Sequence, residues 1–105
     1  MGKIIFSNHI NQRFEELVFI LHFNDYFSYQ SNAIDYVDKI YDFINTDIYT
    51  FPNKITPKEL LHLGYKYIFY RPNQRTTWYI FFQQSNNNYL ITGILNNHCE
   101  ESAFI

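Results

Sequence analysis

The side chains best suited to chemistry gather in the last third of the chain. Lys66, Tyr67, Arg71 and Arg75 lie close together, Tyr79 follows, and Asn96, Asn97 and His98 come as a consecutive group near the end. Cations, amides and one imidazole form a set that binds anions and exchanges protons near neutral pH. No set of nucleotide-cofactor or zinc-enzyme residues competes with it. The chain has no Walker A loop, no G-x-G-x-x-G, no H-E-x-x-H and no C-x-x-C. His98 and Cys99 are adjacent, so in an extended segment their side chains point to opposite faces and do not close on one metal. Cys99 has no marked base beside it to make it a nucleophile. The sequence therefore implies no cofactor and no metal.

Charge is distributed in keeping with that cluster. The formal net charge is −2. Residues 1–47 carry −4, residues 48–99 carry +4 through Lys54, Lys58, Lys66, Arg71 and Arg75 against Glu59 alone, and Glu100 and Glu101 close the balance. A basic face on the C-terminal part can meet phosphates even when the whole chain is slightly acidic.

These residues must be positioned by a small α+β domain. Residues Lys3 to Phe6 are β-prone, and Ser7-Asn8 offers a side-chain oxygen to the first turn of a helix. Ile10, Phe14, Leu17, Val18 and Leu21 then share one face of a 3.6-residue period. Asn24-Asp25 interrupts the pattern. Ser28 or Ser31 can cap a second helix, whose stripe is Ala33, Val37, Ile40 and Ile44, flanked by Ile34 and Tyr41. Asp35, Asp38 and Asp42 fall off the stripe and face water, and the two stripes can pack as a helical hairpin. Residues Asp47 to Thr56 lose periodicity and read as loop. Thr56-Pro57 then marks the N-cap and first position of a short helical turn that Gly64 ends.

The final third reads as three strands, Tyr65–Arg71, Thr76–Gln83 and Asn88–Asn96. Pro72-Asn73-Gln74 and Ser85-Asn86-Asn87 separate them, and connections this short favour an antiparallel meander. Trp78 belongs to the core face or the helix–sheet junction. His9, His22 and His62 stand among helical or turn residues and read as structural.

At 105 residues the chain fits one domain over residues 1–105. Hydrophobic residues make up 47% and charged residues 17%, a balance that folds rather than stays disordered. One cysteine cannot form an internal disulfide, and residues Met1 to Ser7 show no signal-peptide pattern, so a cytoplasmic location is expected. Charged residues such as Arg13, Glu15 and Glu16 break the first apolar run well short of a membrane span. A coding composition poor in G and C would enrich Tyr, Phe and Asn, present ten, eleven and twelve times, with no functional reason, so aromatic residues carry weight here by position rather than number.

The stretch Tyr67-Ile-Phe-Tyr-Arg71-Pro-Asn-Gln-Arg75-Thr-Thr-Trp-Tyr-Ile-Phe-Phe82, then Tyr89-Leu-Ile-Thr-Gly-Ile-Leu95 and a terminal Asn-Asn-His98, resembles the RelE/ParE toxin superfamily. That family shows an arginine just before an aromatic-centred strand and a last strand ending in a polar residue such as His or Arg. The resemblance implies an N-terminal strand and two-helix hairpin packed on a C-terminal three-stranded antiparallel meander. It also implies the toxin of a type II toxin–antitoxin system, partnered by a cognate antitoxin whose arm folds on binding.

Family members that are endonucleases cleave mRNA on the ribosome by driving the ribose 2′-OH onto the adjacent phosphate. Such chemistry needs a base, cationic donors for the phosphorane charge and an acid for the leaving oxygen. By resemblance, Arg75 is the phosphate clamp, Arg71 assists it and His98 is the general acid or base. Lys66 and Asn97 would contact RNA, while Tyr67 and Tyr79 would stack on a splayed base.

Two other readings stay open on the same residues. A ParE-like member binds DNA gyrase without cutting RNA and needs no acid–base pair, and a degenerate member binds only its antitoxin. For His98, an exposed position beyond the last strand competes with the catalytic role. Tyr67 and Tyr79 have sheet packing as their competing role.

Overall fold

The structure, a computed structural model, describes residues 2–23, 30–72, 74, 76–98 and 100–105, and of 18–23 and 30–33 the backbone alone. The elements in order are β1 (Ile4–Phe6), α1 (Asn8–Phe23), α2 (Gln30–Asp47), β2 (Lys54–Ile55), a 3₁₀ helix η1 (Lys58–Leu63), β3 (Lys66–Tyr70), β4 (Trp78–Ser85), β5 (Asn88–Asn96) and a closing 3₁₀ helix η2 (Glu100–Phe104).

The expected α+β class holds, but the sheet is larger than a three-stranded one. It has five strands in the order β1-β5-β4-β3-β2. β3, β4 and β5 pair antiparallel in chain order, β2 adds antiparallel to β3, and β1 adds parallel to β5. The sheet is therefore mixed. β2 lies within the stretch read as loop, since two residues are too few to carry a period. η2 extends the chain past the last expected strand.

Where side chains are described, helix periodicity places the main core as expected; the side chains of Val18, Leu21, His22 and Ala33 lie outside the described residues. Ile10 and Phe14 of α1 meet Val37, Ile40 and Ile44 of α2, and Ile48 continues that stripe just past the helix end. They pack on Ile68, Trp78, Ile80, Phe82, Tyr89, Ile91 and Ile94 of the sheet. Asp35, Asp38 and Asp42 are exposed, as their positions off the stripe require. Trp78 is buried at the helix–sheet junction, where its indole N–H donates to the Tyr36 hydroxyl at 2.9 Å. The connection between the helices, including Asn24-Asp25 and Ser28, lies outside the described residues. Ser31 lies within α2 rather than ahead of it.

A smaller second core covers the opposite face of the sheet. Leu60 of η1 packs on Tyr67, Phe81 and Leu95, with Leu63 and Tyr79 alongside. The middle of β3 and β4 is thus buried on both sides, which explains why the run from Trp78 to Phe82 is apolar without alternation. Pro57 occupies the N-cap of η1 in place of Thr56, whose backbone N–H pairs with the Tyr65 carbonyl at 3.1 Å. The Thr56 hydroxyl is buried and has no hydrogen-bond partner among the described residues.

Two glycines allow η1 to lie close to the sheet. Gly64 ends it at φ 154°, where a side chain would be strained, and a Cβ there would come within 2.7 Å of the Phe82 nitrogen. At Gly93 a Cβ would lie 2.8 Å from both the Cβ and the carbonyl oxygen of Leu63. Beside it, Thr92 is an extra residue in β5, because Phe81 pairs with Gly93 while Phe82 pairs with Ile91. The bulge turns the Thr92 hydroxyl toward the Leu63 carbonyl, to which it donates.

His9 fastens the start of α1 to the same bulge. Its Nε2 lies 2.8 Å from the Thr92 carbonyl oxygen, and its Nδ1 lies 3.1 Å from the Ser7 hydroxyl. A carbonyl only accepts, so Nε2 carries the proton and a neutral ring accepts from Ser7 through Nδ1. Ser7 also accepts the Ile10 and Asn11 N–H groups on its carbonyl. The structural assignment of His9 therefore has a definite content: it ties strand, helix and bulge together.

Candidate nucleic-acid interface

One end of the sheet collects Arg71, Asn97 and His98 of the expected site residues. The cross-strand row Tyr70, Trp78 and Asn96 is the last paired row at the C-terminal ends of β3 and β5 and the start of β4. Arg71, Thr77 and Asn97 come next. Arg71 is exposed and makes no ion pair among the described residues. Arg75, the expected clamp, lies outside the described residues, as do Asn73 and Cys99.

The turn that carries His98 is pinned by amides. Asn97 accepts the Thr77 N–H on Oδ1 at 3.0 Å, while its own N–H donates to the Thr77 carbonyl at 3.0 Å. Asn96 accepts the His98 N–H on Oδ1 at 2.8 Å. The Ser102 hydroxyl donates to the Asn97 carbonyl at 3.0 Å, tying η2 to the same turn. His98 itself is exposed, with Nε2 3.4 Å from the Thr76 hydroxyl. Its imidazole is held at the surface of a braced turn, where it can exchange protons with a bound molecule. Asn97, expected to touch RNA, spends its side-chain oxygen on the fold. That role for Asn96 and Asn97 could be suspected only from two consecutive amides at a strand end.

Lys66 and Tyr67 do not join this cluster. Lys66 starts β3, opposite Phe82, on the face that carries the helices. At a strand rise of ~3.3 Å per residue it stands roughly 16 Å along the sheet from Arg71. Tyr67 points to the other face and is only 7% exposed, with its ring 5.5 Å from Phe81 and 6.0 Å from Tyr79. Burial, then the neighbouring Tyr79 hydroxyl, raises its pKa above the ordinary tyrosine value. A ring so enclosed has no free face for a base, which corrects the expected stacking role of Tyr67. Its fate depended on η1, whose docking over β3 leaves no local mark in the sequence.

Tyr79 keeps part of its surface open. It stands directly opposite Phe69, which is also half-buried. Phe69 is held edge-on by Phe51 at 5.1 Å, and the Lys54 ammonium lies 5.6 Å over its ring. Phe69 has no mark in type or spacing, and Lys54 enters the sequence reading only as one cation of the basic C-terminal part. Lys54 reaches the site because β2 adds to the edge beside β3.

No protein-family model, curated protein or solved structure matches the chain. Among the described residues no helix is long and apolar enough to cross a membrane, and no three His, Cys, Asp or Glu residues are grouped to hold a metal ion.

Proposed function

We propose that this chain is a RelE/ParE-like toxin of a type II toxin–antitoxin pair, acting as a ribosome-dependent mRNA endonuclease. The observation that carries the reading is that an exposed guanidinium, Arg71 after β3, and an exposed imidazole, His98 after β5, stand at the same end of the sheet with β4 between their strands. The order strand, two helices and three antiparallel strands supports it as well. Arg75, four residues beyond Arg71 in the same connection, would supply the second cation.

In this reading the ribose 2′-oxygen attacks the adjacent phosphorus and gives up its proton to a base. The bond from phosphorus to the 5′-oxygen breaks, and that oxygen leaves with a proton, so a cyclic phosphate and a free 5′-hydroxyl result. Arg71 and Arg75 bind the phosphorane oxygens, whose negative charge peaks in the transition state. His98 exchanges the proton.

Expression in a bacterial host tests this. Growth arrest with mRNA cuts at ribosome-occupied codons is expected, and both should vanish in Arg75→Ala with His98→Ala. Arrest that persists unchanged in the double variant refutes the catalytic assignment.

One observation favours a second reading. Glu100 and Glu101 open η2 directly after the His98 turn and are exposed, so carboxylates stand near the place a phosphate would occupy. A ParE-like toxin that binds DNA gyrase, or a member that binds only its antitoxin, is indifferent to that charge. Gyrase-linked DNA breaks without mRNA cleavage would select the first of these, and an inert phenotype with tight antitoxin binding the second.

A further inference from the structure

We infer that the strip of sheet face formed by Phe69 and Tyr79 is a stacking platform for single-stranded nucleic acid, with Lys54 and Arg71 taking its phosphates. The inference deepens the reading above and rests on it for the choice of RNA over DNA.

The two rings are cross-strand partners in adjacent antiparallel strands, so they stand side by side on one face. The centre of that face is closed by η1 through Leu60 and Leu63, and the strip lies one row nearer the Arg71 end. Each ring is braced by an edge-on aromatic, Phe51 for Phe69 and Tyr67 for Tyr79. Bracing fixes the ring planes before a ligand arrives, which lowers the ordering cost of binding. What lies over the Phe69 ring is the ammonium of an exposed lysine, a group that a base displaces readily and that then serves a phosphate.

Charge selects the occupant. Beside the strip stand Lys54 and Arg71, and β2, β3 and β4 contain no Asp or Glu; Lys66 is on the opposite face, and the carboxylates of Glu100 and Glu101 lie beyond the His98 turn in η2. Paired aromatics on an antiparallel sheet beside cations suit splayed bases joined by phosphates, because every base offers a π-face. A duplex keeps its bases stacked inside and cannot use the rings.

The test uses the full chain and a fluorescein-labelled 2′-O-methyl oligouridylate, which lacks the 2′-OH that cleavage needs. Saturable binding by fluorescence anisotropy is expected, stronger than to a duplex of equal length. Phe69→Leu and Tyr79→Leu should each weaken it by roughly tenfold. Lys54→Ala and Arg71→Ala sit at exposed positions that do not threaten folding, and each should flatten the slope of log affinity against log salt by about 0.7. Circular dichroism confirms that the leucine variants fold.

Absence of saturable binding at low salt overturns the inference. So does binding that both leucine variants leave unchanged, or equal competition by a Glu-rich peptide, which would assign the strip to an acidic protein segment. Because the probe cannot be cut, the two ideas fail separately. Platform binding without mRNA cleavage refutes only the endonuclease reading, and cleavage without platform binding refutes only this one.

Discussion

Replacing Gly93 by alanine tests how closely η1 is seated on the sheet, and the sign of the result decides. Backbone conformation is no obstacle, since among the described glycines only Gly64 has positive φ. In an open strand the change should stabilise by about 0.5–1 kcal/mol, because glycine loses more chain entropy on folding. Here the added methyl meets Leu63 at 2.8 Å on Cβ, 2.8 Å on the carbonyl oxygen and 3.2 Å on Cα. Two of those three atoms are backbone, so no rotamer change relieves the contact, and η1 must lift. Lifting also stretches the Thr92-to-Leu63 hydrogen bond and loosens Leu60 on Phe81. Overpacking of this kind costs about 1–3 kcal/mol. Unfolding entropy for a chain of this size is roughly 0.22 kcal/mol per kelvin, so Tm should fall by about 5–14 °C. Thermal unfolding followed by circular dichroism reads this directly, and amide exchange should show the loss of protection concentrated at Gly64 and along η1. An unchanged or raised Tm would refute the close seating of η1 over β5.

Other substitutions probe the two cores separately. Ile44→Ala, at a fully buried position between α2 and the sheet, should cost about 2–5 kcal/mol in a denaturant titration. Trp78→Phe removes the indole donor to Tyr36 and should cost about 0.5–1.5 kcal/mol beyond the change in packing, which a double-mutant cycle with Tyr36→Phe isolates. Tyr67 has its pKa raised by burial and by Tyr79, so above ~10 the unfolded chain releases this proton before the folded one does. Its contribution to stability is complete below that pH and falls as pH rises toward the folded value. Tm measured from neutral to alkaline pH should therefore drop less steeply in Tyr67→Phe; equal slopes would count against the buried phenol.

Legibility followed the length of the pattern. Val37, Ile40 and Ile44 repeat often enough on one helix face to be placed without coordinates, and Asp35, Asp38 and Asp42 followed by exclusion. The last three strands were readable because Asn and Pro clusters bound them, and β5 has the bounds its residues suggested. Asn86 sits at φ 57° in the tight turn, a conformation asparagine tolerates better than most residues. β2 could not be read because two residues have no period. The bulge at Thr92 was equally silent, since one inserted residue has no signature until its partner strand is known. Tyr67 and Tyr79 looked alike in sequence, and only the docking of η1 separates a buried ring from an open one. Residues leaving β3 and β5 emerge at the same end of the sheet, which is where Arg71 and His98 stand, while Arg75, the expected partner of His98, lies outside the described residues.

The proposed site lies at that end because the two faces of the sheet are largely covered elsewhere. α1 and α2 close one face of the sheet, and η1 closes the centre of the other. Along the edges, β2 is two residues long and presents Lys54, which discourages addition of another chain. Side chains that must stay exposed and yet hold a fixed position are left with the strand ends and the strip beside them. There the fold invests amide hydrogen bonds from Asn96 and Asn97 rather than apolar contacts. The Ser102 hydroxyl adds a third side-chain bond to those of Asn96 and Asn97 in holding that turn. Bracing of this kind is what an exposed imidazole requires if it is to meet a reacting oxygen, since misplacement by an ångström is costly to catalysis.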